Sequence, residues 1–185
     1  TAETVRPGGL PEMIDYHAPS QVELVALFRG LNPGVLKVAE QLMARYDFSG
    51  SNSLLDVGGG SGALAIAIAQ SYPGLKATVI DLPSVIALTR QFIAEAGAAD
   101  QVEVLAGDAV HDTLTGSYDV VVVRHVLQVP SADENRALLQ NLASVLKPGG
   151  VIHLIGFGLD DSRIAPPNIP GYNLILFTAY EDGQA

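Results

Sequence analysis

Residues 54–62 read Leu-Leu-Asp-Val-Gly-Gly-Gly-Ser-Gly, an apolar run that meets an acid and then a glycine loop, D-x-G-x-G-x-G from Asp56 to Gly62. A short apolar run that breaks into glycines and resumes as Ala-Leu-Ala-Ile-Ala-Ile-Ala reads as a strand, a tight turn and the start of a helix. The rhythm then repeats. Strands are predicted at 53–57, 76–80, 102–106, 118–123 and 151–156, and helices at 62–72, 84–96 and 132–146. Pro73 ends the first of these helices and Gly97 follows the second. Ser131 with Glu134 forms a capping box for the third, which Lys147-Pro148-Gly149-Gly150 ends. Residues 120–123 are all valine, the unalternating pattern of a strand buried on both faces. The expected fold class is α/β: a Rossmann-like, doubly wound, mostly parallel sheet with helices on both sides.

Residues 1–49 are expected to be a linker and helices leading into a ligand-binding domain over 50–185. Residues 1–19 hold several Pro and Gly and read as an irregular arm. Ser20 with Glu23 reads as a capping box for a helix that stops near Gly30. Asn32-Pro33 reads as a second helix start, followed by one apolar face of Val35, Ala39, Leu42, Met43 and Tyr46. After residue 157 the rhythm weakens: 159–171 reads as loop, and 172–180 fits either helix or strand. The chain stops without a closing element, as expected of a piece of a longer polypeptide.

Composition narrows the function. With 185 residues, 48% of them hydrophobic, the chain can bury one substantial core. A net charge of −10 opposes a phosphate backbone, so nucleic acid is not an expected partner. There is no cysteine, hence no disulfide or thiolate metal site, and no pair of histidines has metal-ligand spacing. No apolar run reaches the roughly 18 residues of a membrane helix. The first residues, Thr-Ala-Glu-Thr-Val-Arg, lack the apolar segment of a secretion signal, so a cytoplasmic location is expected.

Doubly wound sheets bind ligands at the carboxyl ends of their strands, beside the switch in strand order. Each predicted strand end carries a suitable group. Gly58 and Gly60 follow the first strand and let the backbone approach a ligand closely. Asp81, 21 residues after Gly60 and followed by Leu82, ends the second strand, where a carboxylate accepts from ribose hydroxyls. Gly107, Asp108 and Ala109 end the third strand, with Asp108 placed to accept from an adenine amino group. Arg124 ends the fourth, where it meets a carboxylate. Each acid also has a structural reading: Asp56 as a turn cap, Asp81 as a helix cap ahead of Pro83, Asp108 as a turn residue.

Two cofactors compete for this pattern. Gly58, Gly60 and Ala63 nearly satisfy G-x-G-x-x-A, and Asp81 has the spacing of a ribose acid, which suits NAD and an oxidoreductase. Asp56 favours the other. A carboxylate at the mouth of the loop opposes a pyrophosphate and suits S-adenosylmethionine, which carries a sulfonium and an ammonium and no phosphate. The second acid at Asp108 supports the same choice, and no comparable nicotinamide site is evident.

The stretches Leu55-Asp56-Val57-Gly58-Gly59-Gly60-Ser61-Gly62, Ile80-Asp81-Leu82-Pro83, Gly107-Asp108, Arg124-His125-Val126-Leu127 and Leu146-Lys147-Pro148-Gly149-Gly150 carry a resemblance. Residues 53–157 resemble the catalytic domain of the class I S-adenosylmethionine-dependent O-methyltransferases, in the subgroup of plant caffeic-acid-type and bacterial polyketide-tailoring enzymes. The resemblance implies methyl transfer to a small aromatic or polyketide-type natural product. It also implies a helical dimerisation domain before residue 1, a homodimeric full-length protein, and a helix and strand hairpin after residue 185.

The catalytic half departs from the family pattern. Members commonly carry a general-base His three residues after the position of His125. Here that position is Gln128, a neutral amide that cannot take a proton. A family Glu of the fifth strand aligns with Gly156. Losing a general base lowers a rate by about 10²–10⁴, whereas positioning alone supplies roughly 7–11 kcal/mol of a barrier. Methyl transfer is therefore a firmer expectation than O-methylation. Non-methylating chemistry on the same cofactor (decarboxylation or hydroxylation) and a binding-only domain stand as alternatives. The catalytic candidates are Gln128 and His125, the latter read either as a direct participant or as a packing or hydrogen-bonding residue. His17 is a pocket candidate, His111 a loop residue near the cofactor, and His153 a core residue. Tyr46, Phe48, Phe157, Tyr172 and Phe177 form either an aromatic substrate wall or ordinary core.

Overall fold

The computed structural model describes residues 20–158 together with 160, 161, 166 and 169. The elements run α1 (Gln21–Met43), β1 (Ser53–Val57), α2 (Ala63–Ser71), β2 (Lys76–Asp81), α3 (Pro83–Glu95), β3 (Val102–Ala106), β4 (Tyr118–Arg124), α4 (Ala132–Val145) and β5 (Leu146–Ile155). All five strands are parallel, in the order β3-β2-β1-β4-β5. From β1 the chain winds outward to β3 and then returns to the other side of β1. The switch point therefore lies between β1 and β4, above the glycine loop.

The period-two alternation of the strands divides the core. Leu54, Ala77, Val79, Val120 and Val122 pack with Leu64 and Ile68 of α2 and with Val35 and Ala39 of α1. Leu55, Val57, Val121 and Val123 face the opposite side and pack with Leu138, Leu142 and Val145 of α4. The valine run needs both layers, since burying each such side chain contributes about 1.5–3 kcal/mol. The Ser131–Glu134 capping box is present at the start of α4.

Three local expectations are corrected. First, α1 is one helix, running through Gly30 and Pro33, and Ser20 makes no side-chain cap. An interior proline costs about 3 kcal/mol, but burial on both sides of it offsets that cost. Leu24 packs with Val85, Leu88 and Phe92 of α3, and Val35 and Ala39 pack on α2. Second, the fifth strand starts at Leu146 rather than at 151, so Lys147-Pro148-Gly149-Gly150 follows the helix as the bulged start of β5, where the register jumps from Tyr118↔Leu146 to Val120↔Val151. Asp119 sits at the jump. It accepts from the backbone N–H groups of Asn52 and Ser53 at 2.9 Å and pairs with Lys147 Nζ at 2.9 Å. Lys147 first, with those N–H groups and the Ser53 hydroxyl, holds its carboxyl down to about 2. Third, Asp81 does not cap α3: Leu82 is the N-cap residue, with Pro83 in the first turn.

Tyr46, Phe48 and His153 make edge contacts within the core, Tyr46 to Phe48 at 4.8 Å and Tyr46 to His153 at 4.6 Å. They form core rather than a substrate wall. His17, Tyr172, Phe177, the arm over 1–19 and the segment 172–180 lie outside the described residues. Among the described residues no helix is long and apolar enough to cross a membrane, and no cluster of three metal-binding side chains occurs.

Candidate functional site

The loops after β1, β2, β3 and β4 converge at one end of the sheet. Gly58 and Gly60 have φ of 62° and 57°, in the left-handed region that side chains disfavour. Both are also closely covered. A Cβ on Gly58 would lie 2.6 Å from Val126 Cγ2, and one on Gly60 would lie 3.1 Å from Phe28 Cε1. The Gly58 N–H donates to Ile80 O at 2.8 Å, tying the loop to β2. Ser61 Oγ donates to Asn32 Oδ1 of α1 at 2.6 Å, and Thr89 Oγ1 of α3 donates to Gly60 O at 2.7 Å. Phe28, Asn32 and Thr89 thus hold the loop from outside, and the sequence reading missed all three. Asn32 was visible only as a helix-start signal, and the other two belong to no motif.

Asp81 is fixed by the same loop. Its Oδ2 accepts from Gly60 N–H at 2.7 Å and its Oδ1 from Leu82 N–H at 2.8 Å. Burial raises its pKa despite those two donors. A carboxylate oxygen has a second lone pair, so the oriented edge still accepts two hydroxyl protons.

Asp56 lies beneath the loop rather than at its mouth. It is 2% exposed, and a Cβ on Gly59 would come within 2.8 Å of its Oδ2. It accepts from the Ala65 N–H in the first turn of α2, while Oδ2 has no partner among the described residues. Burial pushes its carboxyl up to about 7; Arg124 pulls it down, and Asp81 adds to the rise. A cation above the loop would relieve this buried charge, and a diphosphate would aggravate it.

At the third strand end, Gly107 N–H donates to Asp81 O at 3.0 Å, and Ala109 O accepts from Asn141 Nδ2 of α4 at 3.2 Å. Asp108 is engaged by its own turn: Oδ1 accepts from Val110 N–H at 2.9 Å, and Oδ2 lies 2.9 Å from His111 Nδ1. Burial pushes Asp108 up, but the bonds from His111 and Val110 outweigh it and hold the carboxyl below its ordinary value. The hydrogen bond to Asp108 raises the pKa of His111, whose Nε2 lies 3.5 Å from Glu134 Oε1.

Arg124 ends β4 and is half-buried. The next residue, His125, is the one non-glycine among the described residues with positive φ, at 57°. Its N–H donates to Ile155 O at 2.9 Å, its Nδ1 lies 3.1 Å from Gln128 Oε1, and its ring sits 5.1 Å from that of Phe157. Burial lowers its pKa. His125 and Gln128 line a cavity of about 530 Å³ with Leu127, Asn135, Leu154 and Phe157. The structure thus places a set of oriented acceptors under a glycine turn beside an apolar cavity with a few polar groups. A diol-bearing cation fits the first, and a flat small molecule fits the second.

Residues 7–185 match the model of a family described as an O-methyltransferase domain. A 3-hydroxy-5-methyl-1-naphthoate 3-O-methyltransferase of Streptomyces sahachiroi is 35% identical over 128 residues, covering 69% of this chain and 37% of that protein. An L-tyrosine C(3)-methyltransferase of Streptomyces lavendulae is 35% identical over 127 residues, covering 69% of this chain and 35% of that protein. The structure of human N-acetylserotonin methyltransferase in complex with SAM matches with a TM-score of 0.67 and 27% identity, over 99% of this chain and 55% of that one. The chain thus spans little more than a third of the length of the two Streptomyces relatives. On this match of fold, loop and sequence, the chain belongs to the O-methyltransferase domain family.

Proposed function

We propose that this chain is the cofactor-binding part of an S-adenosylmethionine-dependent methyltransferase that modifies a small aromatic acceptor, most simply at oxygen. The observation that carries this reading is the carboxylate pair around the glycine turn. Asp81 is aimed by the Gly60 and Leu82 N–H groups, and Asp56 is buried beneath with one oxygen unpaired.

Gly58 and Gly60 would let the backbone meet the cofactor, and Asp81 with Leu82 would take its ribose. Gly107, Asp108 and Ala109 would take its adenine, and Arg124 its carboxylate. Asp56 would act through space, its charge favoured by a positive ligand. When bound, the cofactor supplies a methyl group on a cationic sulfur. The chain's own part is to orient that methyl toward the cavity and to keep water from it. Leu127, Leu154 and Phe157 give the cavity the apolar lining that an aromatic ring prefers. The naphthoate-methylating relative supports an aromatic acceptor, while the tyrosine C-methylating one shares as much identity. A net charge of −10 opposes phosphate-rich surfaces. It suits a cytoplasmic small-molecule enzyme, and the family resemblance supports a homodimeric full-length protein.

The test is to supply S-adenosylmethionine with a deuterated methyl group, using 3-hydroxy-5-methyl-1-naphthoate and L-tyrosine as acceptors, and to weigh the products. Label on either ring supports the reading, and label position separates oxygen from carbon. A product changed in mass without label would indicate non-methylating chemistry. No product from either acceptor would contradict the proposed acceptor class.

A further inference from the structure

Gln128, where the family resemblance implies a base, is an amide that cannot accept a proton, yet the cavity is not without a base. Gln128 Oε1 only accepts hydrogen bonds, and it lies 3.1 Å from His125 Nδ1. With Oε1 facing it, Nδ1 is the nitrogen that would carry the hydrogen, and Nε2 would then carry the basic lone pair of the neutral ring. An amide that fixes a histidine's tautomer is the orienting partner that acid–base sites use. We propose that His125, oriented by Gln128, is the general base of this site, displaced three residues from the family's usual position.

Four observations support the assignment. His125 and Gln128 line the same cavity. His125 holds a left-handed backbone, φ 57°, which costs a non-glycine residue about 1–3 kcal/mol and marks functional sites more often than packing sites. The strain is sustained by the bond from its N–H to Ile155 O and by the Phe157 ring. The turn that carries both residues, 125–130, is pinned: Asn135 Nδ2 donates to Leu127 O at 2.8 Å and to Pro130 O at 3.1 Å, and Val129 N–H donates to Val126 O at 2.9 Å. Burial, with the nearby positive charge of Arg124, lowers the ring's pKa and so favours its neutral, basic form, against the opposing pull of Gln128.

The inference rests on the methyl-transfer reading. In the step, His125 Nε2 takes the proton of the acceptor's phenolic hydroxyl. The oxygen's electron pair forms the new O–C bond as the C–S bond of the sulfonium donor breaks. The sulfur keeps that bonding pair and becomes a neutral thioether, and the imidazolium later returns its proton to solvent.

The first experiment needs no turnover. Nitrogen NMR of the full-length protein near pH 7.5 should find neutral His125 with hydrogen on Nδ1. Gln128→Leu should shift the ring toward the opposite tautomer. Hydrogen on Nε2 in the wild type, or no response to Gln128→Leu, overturns the proposal. The second experiment uses His125→Asn and His125→Gly, both of which tolerate the left-handed backbone. With 3-hydroxy-5-methyl-1-naphthoate as acceptor, each should lower kcat by about 10²–10⁴. Affinity for S-adenosylhomocysteine should stay within about twofold, and added imidazole should restore His125→Gly. Unchanged kcat in both variants overturns the base and leaves methyl transfer standing. Failure of the wild type to bind S-adenosylhomocysteine or to move label overturns both.

Discussion

Replacing Asp56 with Asn should change stability in a way that depends on pH. The unfolded carboxyl ionises near 3.8, whereas burial keeps the folded one protonated up to about 7. Between those values the unfolded state binds fewer protons, so this group's contribution falls as pH rises through the window. Below 3.8 both states are protonated and the contribution is absent; above about 7 the loss is complete. At about 1.4 kcal/mol per pH unit, the gap corresponds to about 4 kcal/mol. An asparagine keeps an oxygen for the Ala65 N–H, but its amide nitrogen enters a place with no acceptor. That penalty, about 1–3 kcal/mol, is the same at every pH and cancels in the comparison. Denaturant unfolding of both proteins at pH 4 and pH 8 gives the measurement. The stability of Asp56→Asn relative to wild type should rise by about 4 kcal/mol between the two pH values. A difference that stays constant with pH would refute the burial argument. The same substitution should weaken S-adenosylmethionine more than S-adenosylhomocysteine, because only the former brings a sulfonium to the missing charge.

Three further outcomes follow from other sites. Asp119→Asn should destabilise the fold by about 1–2 kcal/mol near pH 7 once solvent screening is allowed for. Because the carboxyl is held down to about 2, that stabilisation should be present above about 4 and disappear as pH falls toward 2 in acid unfolding. His111 should titrate above its ordinary 6.5 by NMR and return toward it in Asp108→Ala, since the bond to Asp108 is the first cause of the rise. Its stabilising contact should be present below pH 6.5 and be lost as pH rises through the folded value. Asn32→Ala removes the acceptor of the Ser61 hydroxyl. It should weaken S-adenosylhomocysteine binding about tenfold by calorimetry, as loss of a hydrogen bond of about 1.4 kcal/mol would; unchanged affinity would mean that α1 does not hold the loop.

The strands and the switch point were legible because apolar runs such as residues 120–123 admit few other environments, and the acids stand where those runs end. The path of α1 was not. Gly30 and Pro33 are local stop signals, and only the packing of Leu24 on α3 and Val35 on α2 overrides them. The bulge at 147–150 depends on Asp119 in a neighbouring strand, a partner that no local pattern reveals. The site divided in the same way. The sequence located Gly60 and Asp81, and the structure joins them by a 2.7 Å bond. The sequence placed Asp56 at the loop's mouth, because the order of residues does not say on which side of a turn a side chain lies. Nor could it reveal the left-handed backbone of His125, φ 57°, since no glycine marks that turn.

On the proposed reading, the crevice over the glycine turn takes a positively charged adenosyl ligand and refuses a diphosphate. Calorimetry of the full-length protein at pH 8 with S-adenosylmethionine, S-adenosylhomocysteine and NAD tests it most directly, with Asp81→Ala alongside. The first two should bind and NAD should not, and Asp81→Ala should bind at least about tenfold more weakly, as loss of charge-assisted bonds of about 1.5–3 kcal/mol requires. NAD binding as tightly as S-adenosylmethionine, or an Asp81→Ala protein that binds as wild type does, would contradict it.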